Sequence, residues 1–165
     1  MFVWLASYPK SGNTWIRLLL NSLRIGGGGV DINAMPFRIP QSAARDLFDE
    51  ALGLQSSDLN GQEVDSLRPL AWAHEAACSP DLLFRKVHDA WRLNADGREL
   101  FPRELTFAAI YIVRDPRDVA VSLAHHTGWS LDKTIDRMND ETLVFENSKK
   151  RLSNQLPQTL LKLFQ

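Results

Sequence analysis

The pattern of apolar and polar residues predicts a short strand followed by an amphipathic helix at the start of the chain. Residues 2–7 are mostly apolar and rich in strand-forming types, and turn-forming residues follow them, which indicates a buried strand and a loop. Over residues 14–24 the apolar side chains return with helical spacing, at Ile16, Leu19, Leu20 and Leu23. This pattern predicts a helix with one apolar face, ended by the glycines at 26–29.

The same reading predicts further elements along the chain. Residues 106–113 give the clearest buried strand, and Asp115-Pro116 then indicates a helix that reaches about residue 126, with Val119, Ala120 and Leu123 facing inward. The other expected elements are helices near 41–52, 69–77, 130–138, 141–154 and 156–165, a polar loop at 55–62, a strand over 82–87 and a turn at 94–97.

Strands that alternate with helices indicate an α/β fold with a largely parallel sheet flanked by helices. In such sheets, ligands bind beyond the carboxyl ends of the strands. The 165 residues suit a single domain, so we expect residues 1–165 to form one unit.

The amino-acid composition argues against several classes of function. The chain has 19 Lys and Arg against 20 Asp and Glu, whereas a nucleic-acid binder usually carries a basic excess. The single cysteine, Cys78, cannot form an internal disulfide. No apolar run approaches the ~20 residues of a membrane helix, and the N-terminus lacks the features of a secretory signal. We therefore expect a cytoplasmic protein that binds neither nucleic acid nor membrane.

The first chemical motif is YPKSGNTW at positions 8–15, between the first strand and its helix. A loop there presents backbone N–H groups at the positive end of a helix, which suits a phosphate or sulfate group. The residues expected to contribute charge, donors and close backbone approach are Lys10, Ser11, Gly12, Asn13 and Thr14. The motif lacks the glycine that directly precedes the lysine in Walker A loops. The alternative is an ordinary turn with a solvated lysine.

Two more motifs follow strand ends. Arg114 leaves the clearest strand, and Ser122 lies about two helical turns further on; a guanidinium and a hydroxyl suit a phosphate, although Arg114 could instead pair with Asp118. His88 follows Lys86 at the end of another strand. A histidine there suits a general base, although an ordinary hydrogen-bonded histidine is the simpler interpretation.

Together the three motifs, in this order, resemble those of the PAPS-dependent sulfotransferases, where PAPS is 3′-phosphoadenosine 5′-phosphosulfate. The loop at 8–15 resembles the family's phosphosulfate loop, with Asn13 where threonine is more usual. Arg114 and Ser122 resemble its 3′-phosphate motif, and Lys86-Val87-His88 its Lys-x-His motif. The resemblance implies a P-loop-like sulfotransferase fold.

The resemblance also implies roles for these residues in sulfuryl transfer from PAPS to a hydroxyl or amine of a small-molecule or glycan acceptor. His88 would be the base, Lys10 would stabilise the leaving phosphate oxygen and Lys86 would help around the sulfuryl group. The 5′-phosphosulfate would lie on residues 10–14, the 3′-phosphate on Arg114 and Ser122, and the adenine against Trp15. No metal is implied.

The family normally continues through further strands and helices and a late Arg-x-Gly loop that also binds the 3′-phosphate. We therefore expect a truncated member with its C-terminal part missing and homo-oligomers that cover exposed apolar surface. The basic residues Lys149-Lys150-Arg151 are expected on a solvated helix face. The alternative function is an impaired remnant or a module that binds PAP, 3′-phosphoadenosine 5′-phosphate, without turnover. An ATP-dependent P-loop kinase would need the Walker A lysine that is absent.

Overall fold

A three-stranded parallel sheet forms the centre of the computed structural model, which describes residues 1–140 and 154–160 and the backbone of 144 and 145. Its strands are β1 (Phe2–Ser7), β2 (Leu83–Val87) and β3 (Thr106–Ile112), in the order β2-β1-β3. The predicted α/β fold with a parallel sheet is confirmed. All three strands lie within a residue of the predicted bounds.

Helices flank this sheet, and a small antiparallel pair lies beside it. Within the described residues, the pair consists of β4 (Val144–Phe145) and β5 (Gln158–Thr159). The helices are α1 (Asn13–Arg24), α2 (Arg45–Leu52), α3 (Gly61–Cys78), α4 (Pro116–Thr127) and α5 (Leu131–Asn139). No helix in the described ranges is long and apolar enough to cross a membrane.

The helix α3 begins eight residues earlier than the prediction of 69–77. Asn60 caps it, because its side chain accepts from the backbone N–H groups of Gln62 and Glu63 at 2.9 and 3.0 Å, and the Glu63 carboxylate accepts from Asn60 N–H at 2.8 Å. This reciprocal capping box satisfies N–H groups that would otherwise lack partners. The helix therefore starts inside the segment that was expected to be a polar loop.

Alternating side chains of β1 build a core on each face of the sheet. Phe2 and Trp4 join an aromatic cluster with Trp72 and Phe101, and the Phe2 and Trp4 rings stack with their centroids 4.6 Å apart. Val3 and Leu5 point to the other face, as the two-residue period of a strand requires. The central strand is thus covered on both faces.

The prediction that residues 106–113 form a buried strand is wrong about burial. Phe107, Tyr111 and Val113 are 62%, 54% and 69% exposed. The strand exists, but it is the outer member of the sheet and pairs only with β1 among the described strands. Apolar composition predicted the strand correctly, but composition does not tell an outer strand from a central one.

The expected apolar face of α1 is only partly used. Ile16 and Leu20 pack against the core, whereas Leu19 and Leu23 are 53% and 65% exposed. Asn21 is fully buried instead, because its amide donates to the Phe37 carbonyl at 3.0 Å and accepts from the Phe37 N–H at 2.7 Å. A polar residue whose side-chain atoms are hydrogen-bonded is therefore buried on a face where the apolar spacing predicts leucine.

The predicted helix at 156–165 is wrong where the structure describes it, over residues 156–160. Leu156 N–H donates to the Ala43 carbonyl at 2.8 Å, and Ala90 N–H donates to the Thr159 carbonyl at 2.7 Å. We call residues 154–160 the crossing segment, because they run extended beside the loop before α2 and the end of β2. The predicted helix at 141–154 is wrong at 144–145, which form β4. The rest of that helix up to residue 153, with Lys149-Lys150-Arg151, and residues 161–165 lie outside the described residues.

Candidate active site

A cavity of about 550 Å³ lies at the carboxyl edge of the sheet. It is bounded by the loop after β1, the end of β2, the first turns after β3 and the crossing segment. The side chains that carry polar or charged groups into it come from Lys10, Asn13, Thr14, Trp15, Gln41, Lys86, His88, Arg114, Ser122, His126, Gln155 and Gln158. The structure therefore brings the three sequence motifs to one place.

The loop after β1 has an unusual backbone. Lys10 and Gly12 both adopt left-handed conformations, with φ of 69° and 104°. Gly12 is the N-cap residue before α1 and no side chain caps the helix there, so the first N–H groups of α1 lack an intrahelical partner. The buried Ser11 hydroxyl also has no hydrogen-bond partner within the described part of the chain. This end of the loop thus has donors to offer to an anion.

The Asn13 side chain differs from its expected role. Its amide nitrogen donates to the Leu5 carbonyl at 2.8 Å and to the Ser7 hydroxyl at 3.2 Å. Both amide hydrogens are therefore used inside the protein, and Asn13 fixes the end of β1 rather than offering a side-chain donor to a ligand. Its own carbonyl oxygen is buried without a partner among the described residues.

The ring of His88 is held in a defined orientation. Its Nδ1 lies 2.7 Å from the Ser7 carbonyl oxygen and 3.3 Å from the Ser7 hydroxyl. A carbonyl only accepts hydrogen bonds, so Nδ1 carries the proton and Nε2 has a free lone pair. Burial, and then the neighbouring charge of Lys86, lower the pKa of His88 to about 4. The imidazole is therefore neutral at pH 7 and able to accept a proton.

Lys86 is a half-buried cation among other cations. Burial, and then the charges of Arg17 and Lys10, lower the pKa of its ammonium group to about 8. Burial also lowers the pKa of Arg17. Like charges that are brought together out of water favour the arrival of an anion, which would relieve their repulsion.

Arg114 has contacts that match both interpretations of its motif. Its Nη1 donates to the Lys10 carbonyl at 3.2 Å, which ties it to the loop after β1. Its Nε lies 3.7 Å from a carboxylate oxygen of Asp118, on an exposed part of the surface. Ser122 faces the same cavity from α4. Arg114 and Ser122 thus lie near the loop, while an exposed ion pair of this kind contributes little energy.

A protein-family model described as a sulfotransferase domain matches residues 2–159. This chain belongs to the sulfotransferase family. The match covers all three motifs, and the parallel α/β sheet agrees with the P-loop-like fold expected for a sulfotransferase. Searches among curated proteins and among solved structures gave no significant match to the chain.

Several residues in the cavity of this sulfotransferase were not predicted from the sequence. They are Gln41, His126, Gln155, Gln158 and Leu160. The glutamines reach the site because Gln41 pairs with Lys86 and the crossing segment returns to the end of β2. No local pattern signals such contacts, since Gln41 and Gln158 are 117 positions apart.

Two adjacent histidines of the sulfotransferase have different surroundings. His126 lines the cavity, whereas His125 lines a separate shallow groove with Trp129 and Leu131. His74 is exposed and lies 3.5 Å from the Cys78 sulfur. No group of three or more His, Cys, Asp or Glu side chains is placed to hold a metal in the part of the chain that the structure describes.

Proposed function

We propose that this chain acts as a single sulfotransferase domain that binds PAPS and transfers its sulfuryl group to a hydroxyl or amine acceptor. The observation that carries the proposal is the charge of the cavity. Among the described residues that line it, three are Lys or Arg, namely Lys10, Lys86 and Arg114, and none is Asp or Glu. Such a cavity suits a ligand with several negative charges.

The residues present fit a phosphosulfate. The uncapped start of α1 and the left-handed backbone at Lys10 and Gly12 leave backbone donors at the cavity. The Ser11 hydroxyl beside them is buried, does not line the cavity and has no partner among the described residues. Lys10, Ser11, Gly12 and Thr14 would hold the 5′-phosphosulfate, and Asn13 would shape the loop. Arg114 and Ser122 would hold the 3′-phosphate. Trp15 is 76% exposed at the cavity mouth and would offer its ring to the adenine.

PAPS supplies an activated sulfuryl group with a phosphate leaving group. His88 Nε2 would accept the proton of the acceptor, because Nδ1–H is held on the Ser7 carbonyl. A bound polyanion raises the pKa of a nearby histidine, which strengthens it as a base. Lys10 and Lys86 would stabilise negative charge on the leaving oxygen and the transferring group. Positioning and electrostatics therefore do most of the work.

Titration calorimetry tests the cofactor assignment directly. We expect PAP to bind more tightly than ATP, and Lys10→Ala and Arg114→Ala each to weaken PAP roughly tenfold or more, since each removes a charged hydrogen bond. Lys133→Ala and Arg98→Ala, at exposed positions outside the cavity, are the matched controls and should leave the affinity unchanged. Equal binding of PAP and ATP would show that the cofactor is wrong.

Turnover is tested separately with labelled PAPS and a panel of acceptors. We expect His88→Ala to lower the rate ~10²–10⁴-fold while PAP still binds, because general-base catalysis typically contributes that much. Full activity in His88→Ala would rule out this base. PAP binding by the wild type without sulfation of any acceptor would favour the alternative function, a nucleotide-binding module.

A further inference from the structure

We propose that the side-chain amides of Gln41, Gln155 and Gln158 form an acceptor subsite, and that the acceptor is a polyhydroxylated, carbohydrate-like molecule. This inference rests on the proposed function, because it names the substrate class of the same cavity. All three side chains line that cavity together with His88.

The three amides are held together by hydrogen bonds. The Gln41 amide nitrogen donates to the carbonyl oxygens of Gln155 and Gln158, both at 3.1 Å, and the Gln158 nitrogen donates to the Gln155 oxygen at 3.1 Å. Gln158 is buried, whereas Gln155 is exposed. We call these three side chains the amide cluster. Its members restrain one another before any ligand arrives, which lowers the entropy cost of binding.

The backbone places the amide cluster beside the proposed base from two sides. Lys86 N–H donates to the Pro40 carbonyl at 2.9 Å and Ser42 N–H donates to the Lys86 carbonyl at 2.8 Å, so Gln41 pairs directly with Lys86. On the other side, Leu160 pairs with Asp89. The amides thus flank the segment 86–89, which carries His88, where an acceptor hydroxyl would lie in the proposed reaction.

A buried ion pair anchors the crossing segment at this position. The Arg68 guanidinium donates to both carboxylate oxygens of Asp89, at 3.2 and 2.8 Å, and both side chains are fully buried. The same carboxylate accepts from Thr159 N–H at 3.2 Å. Because a buried bidentate pair has one favoured geometry, it fixes the backbone from which Gln158 reaches the cavity.

The chemistry of the amide cluster matches hydroxyl groups. An amide presents both a donor and an acceptor, and a sugar hydroxyl needs one of each. Among the described residues, the side-chain oxygen Oε1 of Gln41 has no hydrogen-bond partner, and the side-chain nitrogen Nε2 of Gln158 donates only one of its two hydrogens. The amides are also neutral, so they can bind hydroxyls without the repulsion that a carboxylate would exert on a bound polyanion.

The cavity offers little to a flat aromatic acceptor. Apart from its histidines, Trp15 is the single aromatic side chain among the described residues that line it. Sites for apolar ligands are lined mainly by hydrophobic and aromatic side chains, whereas here polar and charged side chains outnumber the apolar ones, which are Pro9, Trp15, Leu123 and Leu160. The geometry therefore favours a sugar hydroxyl over a phenol or a sterol.

Binding is tested by ligand-detected NMR titration of the full chain with glucose, N-acetylglucosamine, cellobiose and 2-naphthol, each with and without saturating PAP. The variants are Gln41→Leu, which removes two donors at nearly constant size, and Gln155→Leu, which lies at an exposed position where folding is not at risk. Gln62→Leu, on an exposed turn of α3 outside the cavity, is the matched control.

We expect at least one of the saccharides to bind and 2-naphthol not to bind. Gln41→Leu and Gln155→Leu should each weaken the saccharide about tenfold, the loss of one or two hydrogen bonds, with PAP affinity unchanged. Stronger binding of 2-naphthol, no saccharide binding, or equal weakening by Gln62→Leu would overturn the subsite. Failure of PAP to bind would overturn the proposed function alone, because the saccharide titration without PAP still reports on the amide cluster.

Discussion

The two ends of β1 have opposite chemical character. At its start, Phe2 and Trp4 are buried among other aromatic rings, and the Trp4 indole donates to the Thr106 hydroxyl at 2.8 Å. Just beyond its end, the Ser11 hydroxyl and the Asn13 carbonyl oxygen are buried without a partner in the described part of the chain. One end of the strand thus satisfies its polar atoms, while the other leaves them unsatisfied.

The contrast extends to the backbone and to charge. The loop after β1 holds Lys10 at φ 69°, in a region that costs roughly 1–2 kcal/mol for a residue with a side chain. Burial, and then the nearby charges of Arg17 and Lys10, lower the pKa of Lys86. Backbone strain and unpaired polar atoms therefore lie together where a bound ligand can offset their energetic cost. Stability therefore comes from the start of β1, and ligand binding is expected at its carboxyl end.

The largest expected effect is a difference in stability between two tryptophan variants, one at the start of β1 and one beyond its carboxyl end. Trp4→Ala should lower the free energy of unfolding by ~3–5 kcal/mol, because it opens a cavity in the aromatic core. Trp15→Ala should change it by less than ~0.5 kcal/mol, because the ring is largely exposed. Urea unfolding followed by circular dichroism measures both. Similar losses of stability in the two variants would contradict the difference between the two ends of β1.

The next effect is a dependence of stability on acid pH. The pKa of His88 falls from 6.5 to about 4 on folding, because of burial and then the charge of Lys86. Between these values the unfolded chain binds a proton that the folded chain refuses, so stability falls as pH drops from 6.5 toward 4, by as much as ~3 kcal/mol. Urea unfolding at a series of pH values measures this slope.

His88→Asn is the control for that measurement, because an amide can still donate to the Ser7 carbonyl but does not titrate. The slope between pH 6.5 and 4 should be shallower in the variant by about one proton. Identical slopes in the two proteins would mean that the histidine is not protected from protonation at the carboxyl end of the sheet.

The smallest expected effect comes from Lys10 itself. Lys10→Gly should be more stable than Lys10→Ala by ~1 kcal/mol, because glycine adopts a positive φ without strain. Both variants should lose PAP affinity equally, since both lack the ammonium group. Thermal unfolding and calorimetry measure the two quantities. If Lys10→Gly were more stable and kept full PAP affinity, the ammonium group of Lys10 would not be part of the PAP site.

The sequence predicted the central elements well, because their signals are local. β1 and β2 are short apolar runs bounded by turn residues, and Asp115-Pro116 marks the start of α4, where the Asp115 side chain accepts from Arg117 N–H at 2.9 Å. The Asn60–Glu63 capping box was also present in the sequence and would have given the true start of α3. The helix predicted over residues 156–160 was wrong because long-range pairing overrides an apolar spacing of helical period.

The candidate site likewise has one part that the sequence predicted and another that it did not. Lys10, Lys86, His88 and Arg114 follow strand ends, and parallel strands bring such positions to one edge, so the sequence placed them together correctly. The roles of these residues stay predictions. The amide cluster was not predictable, because its members are joined by tertiary contacts and not by a motif.

The crossing segment has a consequence for the order in which the site is assembled during synthesis. Arg114 and Lys10, which are 104 positions apart, both leave the ribosome before any residue of 154–160. Lys10 and Arg114 are therefore synthesised first, and Gln155 and Gln158, which complete the wall beside His88, are synthesised last.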